Sequence, residues 1–134
     1  MRIGIYNHQH MVGGCPICRQ TYVQGMIADA KMCQNRAISI YGADSEFFNY
    51  TDLGDYSPED IDRPGIRHLI EDVEEGKLDV VCCYTMDKIS TNIDLIMYVY
   101  GIIRDHGVDF ITFADGKHAM EVMDRAYSSW KKAH

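Results

Sequence analysis

The sequence lacks the features of membrane proteins and of secreted, disulfide-bonded proteins. No apolar run approaches the roughly 18 residues that a membrane span needs, and the chain does not open with a basic segment followed by an apolar one. Its 5 cysteines are an odd number, and Cys82 and Cys83 are adjacent within an apolar run, which argues against a disulfide framework. We therefore expect a cytoplasmic protein that does not associate with membranes, with Cys33, Cys82 and Cys83 in its core.

Positive charge is also scarce. The chain has 13 lysines and arginines against 20 acidic residues, for a net charge of -7. Between Asp44 and Asp79 the only lysines or arginines are Arg63, Arg67 and Lys77. Non-specific affinity for nucleic acid comes from clustered lysine and arginine. We therefore expect the chain to bind DNA weakly, or through a partner.

Few breaks interrupt the chain. Only 3 prolines occur in 134 residues, and no repeat, linker or low-complexity segment is present. This length, with 46% hydrophobic residues, suits a single core. We expect residues 1–134 to form one domain, with no separate DNA-binding domain.

Strand-like and helix-like segments alternate along the sequence, which is typical of an α/β protein. The predicted strands are Arg2–Tyr6, Glu46–Thr51, Leu78–Tyr84 and Val108–Phe113. The predicted helices are Arg19–Tyr41, Ile66–Val73, Ile93–His106 and Lys117–His134, and residues 7–18 are predicted as a loop. This order predicts a three-layer fold around a mainly parallel sheet of about four strands.

Residues 62–92 give the clearest pattern in the chain. Pro64 and Gly65 precede an amphipathic helix that ends at Gly76, and an apolar strand follows it. Asp87 and other polar side chains come directly after that strand. Because open α/β sheets bind ligands beyond the carboxyl ends of their strands, we expect the functional site here. Ser90 or Thr91 is the predicted N-cap of the next helix.

This stretch resembles the catalytic domain of serine site-specific recombinases, the resolvase/invertase family. The matching features are the Asp-Arg-Pro-Gly opening, the helix that ends at Glu-Gly, the apolar strand, and a strand-end aspartate followed by a basic residue, an aliphatic residue and serine. Tyr6, Asp52, Gly54 and Ser57 extend the resemblance upstream. It implies a resolvase-like catalytic-domain fold and a role in DNA recombination, as in mobile elements. Family members associate through their late helices, which implies a homodimer or a recombinase partner.

The resemblance also implies which residues occupy the catalytic positions. In the family, a Tyr-x-Arg-x-Ser motif after the first strand supplies an arginine and the nucleophilic serine, and His8 and His10 stand at these places here. Arg63 and Asp87 keep the family's residue types, whereas Lys88 and Thr91 stand where the family has arginines. Lysine lacks the bidentate fork of arginine, and threonine lacks the charge.

Three functional interpretations follow from these replacements. The leading one is a protein without strand-cleavage activity that acts as an accessory to or modulator of recombination, with Arg63 and Lys88 as a remnant phosphate site. The second is an active recombinase with an altered nucleophile, since histidine itself forms covalent phosphoryl intermediates. The third is a small metal- or redox-sensing protein on the same scaffold.

The sensor interpretation depends on a histidine- and cysteine-rich segment. His8, His10, Cys15 and Cys18 are ligand types that zinc takes in tetrahedral sites, and two glycines stand between the pairs. Cys15-x-x-Cys18 is equally the pattern of a redox-active dithiol. We favour ordinary loop packing with no cofactor, and keep zinc bound by these four residues as the alternative.

Overall fold

The computed structural model describes residues 1–9, 16–54, 56–57 and 59–134, apart from the Cys18 side chain. Within this part of the chain, four strands alternate with four helices. The strands are β1 (Arg2–Gln9), β2 (Glu46–Leu53), β3 (Val80–Cys83) and β4 (Asp109–Thr112). The helices are α1 (Pro16–Tyr41), α2 (Pro64–Glu74), α3 (Ile93–Asp105) and α4 (His118–Ala133), and a short 3₁₀ turn, Met86–Lys88, follows β3.

The strands form one parallel sheet in the order β2-β1-β3-β4. Helix α1 packs on one face, where Cys33 and Ala37 contact Ile3, Ile5 and Cys82. The helices α2, α3 and α4 pack on the other face, around Leu69, Val81, Tyr100, Phe110 and Met123. The predicted three-layer α/β fold with a parallel sheet is confirmed. Cys33, Cys82 and Cys83 are buried, as expected, and burial raises the pKa of the Cys83 thiol.

Three predicted boundaries were wrong near the functional edge. Strand β2 ends at Leu53 and not at Thr51, so Asp52 lies in the strand. Strand β1 continues beyond Tyr6 to Gln9, because its pairing with β2 runs in register as far as Leu53. His8 therefore lies in a strand and not in a loop. Helix α3 is capped by Asn92, whose side chain accepts a hydrogen bond from the Leu95 amide at 3.0 Å, and not by Ser90 or Thr91.

No helix in the described residues is long and apolar enough to cross a membrane. The longest, α1, has 26 residues but is polar along much of its length.

The start of helix α2 lies directly against the end of strand β2. A Cβ atom added to Gly65 would lie 2.6 Å from the Thr51 carbonyl oxygen and 2.9 Å from the Asp52 carboxylate. Only glycine permits this approach without displacing the strand. Pro64 stands at the first helical position, where its missing amide proton is not needed. The Pro-Gly pair found in the sequence is thus the means by which α2 docks on the sheet.

Replacing this glycine should therefore weaken the fold. Gly65→Ala forces backbone atoms apart, and we expect the free energy of unfolding to fall by about 1–3 kcal/mol. Urea unfolding followed by circular dichroism measures the change.

Gly25→Ala is the matched control, because a Cβ atom at Gly25 in α1 meets nothing within 4 Å. Alanine favours a helix over glycine, so Gly25→Ala should raise the free energy of unfolding by up to about 1 kcal/mol. Equal stability of the Gly65→Ala variant and the unmodified chain would contradict the docking role of Gly65.

Candidate functional site

The carboxyl edge of the sheet is organised by Asp52, at the end of β2. This carboxylate is buried, with 2% of the residue exposed. It accepts hydrogen bonds from the amides of Gly65 at 2.7 Å and Ile66 at 3.0 Å, and from the Tyr6 hydroxyl at 2.7 Å. The two amides belong to the first turn of α2, which has no partners for them within the helix. Asp52 therefore joins β1, β2 and the positive end of α2.

The Tyr6 hydroxyl is held as a hydrogen-bond donor. Burial, and then the hydrogen bond to Asp52, raise the pKa of Tyr6 above its ordinary range. The phenol stays protonated at neutral pH and satisfies the lone pairs of a buried carboxylate. Together with the amides of Gly65 and Ile66, the Tyr6 hydroxyl gives the buried Asp52 carboxylate three hydrogen-bond donors.

Arg63 immediately precedes α2 and points inward beneath the 3₁₀ turn. Only 2% of the residue is exposed. Its guanidinium donates to the Ile89 carbonyl oxygen at 2.5 Å and lies 3.2 Å from His8 Nδ1. Among the described residues, its Nε has no hydrogen-bond partner. Arg63 thus connects the start of α2, the end of β1 and the segment after β3.

The contact with Arg63 fixes the proton on His8. A guanidinium only donates, so His8 Nδ1 accepts from it. The other nitrogen, Nε2, then carries the proton and lies 3.4 Å from the Gly54 carbonyl oxygen. The ring also packs edge-on against Tyr56, with 5.8 Å between centroids. His8 is therefore held between the ends of β1 and β2.

These residues enclose a small cleft of about 40 Å³. Its lining consists of His8, Tyr56, Ser57, Arg63, Asp87, Ser90 and Thr91. Three of the expected catalytic positions, His8, Asp87 and Thr91, meet here together with Arg63. The volume is far below the roughly 300–1,000 Å³ of small-molecule pockets. A cleft of this size contacts one group of a larger ligand and does not enclose it.

Lys88 does not line this cleft. Its Nζ lies 3.9 Å from Asp29 on α1, a carboxylate that also accepts from the Gln9 side chain at 3.3 Å. Asp87, in contrast, lines the cleft and accepts a hydrogen bond from the Thr85 hydroxyl. Arg63 lines the cleft and Lys88 does not. The phosphate site expected from these two residues stays a prediction.

The expected metal ligands fall largely outside the described residues. His10 and Cys15 lie there, and only the backbone of Cys18 is described, in the first turn of α1. Within the described part of the chain, no group of three or more histidine, cysteine, aspartate or glutamate side chains is arranged to hold a metal ion. Zinc bound by His8, His10, Cys15 and Cys18 stays a prediction.

Sequence reasoning missed the central role of Asp52. The predicted strand ended at Thr51, and Asp52 was named only for its match to the family, because the sequence does not show which groups donate hydrogen bonds to a carboxylate. One signal was available. A Pro-Gly pair at a helix start leaves amides to be satisfied, and an aspartate that ends a strand is a suitable acceptor.

Comparison with protein families agrees with the resemblance found in the sequence. The profile of the family described as "Resolvase, N terminal domain" matches residues 29–133. This range contains Arg63, Asp87, Lys88 and Thr91, and it begins after His8 and His10. Among curated proteins, no significant match to the chain is found.

Three solved structures share the fold at low sequence identity. The N-terminal catalytic domain of TP901-1 integrase superimposes with a TM-score of 0.69 at 16% identity, covering 100% of this chain and 99% of that one. The C-terminal catalytic domain of ISC1926 TnpA, an IS607-like serine recombinase, gives 0.66 at 17% identity, covering 84% and 70%. A resolvase family site-specific recombinase from Streptococcus pneumoniae gives 0.65 at 17% identity, covering 99% and 89%.

The carboxylate at position 52 should be indispensable to stability. Asp52→Asn keeps the shape but replaces one acceptor oxygen with a donor, which then faces an amide or the Tyr6 hydroxyl. Hydrogen bonds to a buried charged group contribute about 1.5–3 kcal/mol each, so we expect a loss of about 3 kcal/mol in the free energy of unfolding. Chemical denaturation measures it.

Asp62→Asn provides the control in the same acidic stretch. Asp62 pairs with Arg67 at the surface, where both side chains are more than half exposed. Exposed ion pairs contribute little, so this change should stay within about 0.5 kcal/mol. A loss at Asp52 no larger than that at Asp62 would show that Asp52 does not hold α2.

Proposed function

Because this chain belongs to the resolvase family of serine recombinases, we propose that it takes part in site-specific DNA recombination as a protein that does not itself cleave DNA. It would act by association, as an accessory to or modulator of an active recombinase. Its catalytic-domain fold would supply the surfaces for that association.

The composition and geometry of the cleft carry this proposal. At the family's arginine positions the chain has His8, Lys88 and Thr91, and at the serine position it has His10. His8 accepts a hydrogen bond from Arg63 instead of presenting a cationic fork. Lys88 is paired with Asp29 outside the cleft. Little positive charge is left where a phosphate would have to be stabilised.

The chemistry of strand cleavage makes these losses severe. A serine hydroxyl attacks a DNA phosphate, and arginines neutralise the charge that builds on the phosphate oxygens. Removing one preorganised donor typically raises the barrier by about 3–4 kcal/mol, or lowers the rate 10²- to 10³-fold. The family's arginine is present as Arg63, but only 2% of this residue is exposed. Its guanidinium contacts the Ile89 carbonyl oxygen within the fold and has little surface to offer a phosphate.

The surface that we propose for association is the apolar groove between α3 and α4. It has a volume of about 710 Å³ and is lined by Ile96, Met97 and Met123, with Asp87 and Thr91 of the cleft at its rim. Ile93 at the start of α3 is 56% exposed. Val122 of α4, which also lines the groove, is 38% exposed, and exposed apolar side chains grouped in this way mark an interaction site. Either a second copy or a recombinase partner would cover them.

DNA binding by the chain alone should be weak. The net charge of -7 disfavours contact with the phosphates, so we expect a Kd of about 10⁻⁴ M or weaker at physiological salt. Fluorescence anisotropy with a labelled duplex measures it. A submicromolar Kd for this chain alone would contradict the dependence on a partner.

The chain should also form no covalent adduct with DNA. His10 stands at the serine position and Thr91 at an arginine position, so neither the attack nor the charge stabilisation is supplied. Incubation with suicide DNA substrates, followed by denaturing gels, detects a protein–DNA bond. His10→Ala is the control variant. A DNA-linked band that is present in the unmodified chain and lost in His10→Ala would establish histidine as an altered nucleophile.

A further inference from the structure

Strand β2 is one of the two edge strands of the sheet, the other being β4. The main-chain N–H and C=O groups of every second residue in β2 point away from β1. The Glu46 amide donates to the Met1 carbonyl oxygen at 2.8 Å, and the Gly54 amide donates to the Gln9 carbonyl oxygen at 3.1 Å. In a parallel pair, every second residue directs its N–H and C=O toward the same neighbour. The main-chain N–H and C=O groups of the even-numbered residues of β2 therefore point toward β1. The outward amides belong to Phe47, Asn49, Thr51 and Leu53. Of the outward carbonyls, that of Thr51 lies against Gly65 of α2 and is not open to a partner.

A hollow flanks this free edge on each face of the sheet. On the α1 face, a groove of about 590 Å³ lies between Asn49, Thr51 and Leu53 of β2 and the apolar side chains of α1. On the α2 face, a hollow of about 250 Å³ is lined by Phe48, Tyr50 and Asp72, among others. An added strand would direct alternate side chains to the two faces. Both sets of side chains would find space beside β2.

Much of the edge lacks the usual protection against pairing, the exception being its carboxyl end, where the start of α2 lies against the Thr51 carbonyl. Natural edge strands carry lysine, proline, a bulge or a cover. The sequence of β2, EFFNYTDL, has neither lysine nor proline, and all eight of its residues pair in regular register with β1. Phe48 is 40% exposed. Within the described residues, no element pairs with the outer side of β2.

The charge around the edge indicates what kind of segment fits it. Strand β2 lies in the acidic stretch 44–79, where Asp44, Glu46 and Glu71 are exposed. Asp72 lines the α2-face hollow. The cations beside that hollow are already paired, Arg2 with Asp79 at 3.1 Å, and Lys77 with Glu75 at 2.8 Å and Asp72 at 3.8 Å. A second copy would bring the same acidic stretch against this one, so the charge disfavours self-pairing.

We propose that β2 is a docking edge for an extended, lysine- or arginine-bearing segment of a partner polypeptide, which adds to the sheet as a fifth strand. Main-chain hydrogen bonds to Phe47, Asn49, Thr51 and Leu53 provide affinity in this mode of recognition. Apolar side chains enter the α1-face groove, whose one basic lining residue is Lys31. The aliphatic stems of basic side chains cover Phe48 and Tyr50 and carry their charge toward Glu46, which is exposed on the same face of β2.

The direct probe is a fluorescent eight-residue peptide of alternating valine and lysine, matched to the length of β2. We expect it to bind in anisotropy titrations and to slow amide hydrogen exchange at Phe47, Asn49, Thr51 and Leu53 by about tenfold or more. The even-numbered amides of β2 are already bonded to β1 and should change little. A peptide of alternating valine and glutamate should not bind.

Thr51→Pro removes one outward amide and leaves the hydrogen bonds between β2 and β1 intact. It should raise the Kd for the valine–lysine peptide about tenfold, the loss expected for one hydrogen bond. Thr51→Val is the matched control, because it keeps the amide, and it should bind as the unmodified chain does. If Thr51→Pro does not fold, the same peptide with every backbone amide N-methylated gives the equivalent test, and it should not bind.

Several results would overturn the proposal. The first is that the valine–lysine peptide does not bind, and the second is that the valine–glutamate peptide binds as tightly as the valine–lysine peptide. The third is that the valine–lysine peptide binds Thr51→Pro as tightly as the unmodified chain, or that the N-methylated peptide binds as tightly as the unmethylated one. Protection of the outward amides that rises with protein concentration, in the absence of peptide, would show that a second copy occupies the edge instead.

Discussion

The arrangement of the carboxyl edge depends on one buried carboxylate. Asp52 accepts from two amides of the α2 N-terminus and from the Tyr6 hydroxyl, and so fixes the helix, the edge strand and the central strand relative to one another. Gly65 makes that contact sterically possible. Because Arg63 stands one residue before α2, its reach to His8 and to the Ile89 carbonyl oxygen follows from the same contact. The scaffold of the cleft is therefore specified by packing and hydrogen bonding, independently of any reaction.

This independence is what allows a resolvase fold to be kept with other residues at the catalytic positions, as we propose for this chain. Residues that hold the scaffold together, Asp52, Arg63 and Gly65, retain the types that the resemblance requires. The positions that differ, such as His8 and Thr91, lie on the cleft surface and tolerate other side chains. His8 even adds a scaffold contact by accepting from Arg63. A fold kept by such internal contacts does not depend on strand-cleavage chemistry, which is consistent with the role in association that we propose.

The fold was largely predictable from the sequence, and the site only in part. The run from Pro64 to Asn92 has a helix period, a glycine end and an apolar strand, all of them local signals, and these elements formed as predicted. The extension of β1 through His8 was missed because pairing with Leu53 of β2 sustains it, a contact between residues distant in the chain. The direction of Lys88 toward Asp29 and the partners of Asp52 were hidden for the same reason. Side-chain partners across elements depend on packing that residue types alone do not encode.

The central claim is that this chain keeps the scaffold of a recombinase catalytic domain without its strand-cleaving chemistry. Weak DNA affinity would mask any remaining activity, so the most direct test removes that variable by fusing the chain to a sequence-specific DNA-binding domain. The fusion is incubated with a supercoiled plasmid that carries paired binding sites, and the topology of the plasmid is followed on gels. The account predicts that the plasmid stays supercoiled while the fusion is bound. Relaxed or linear plasmid with the fusion covalently attached to its ends would contradict it.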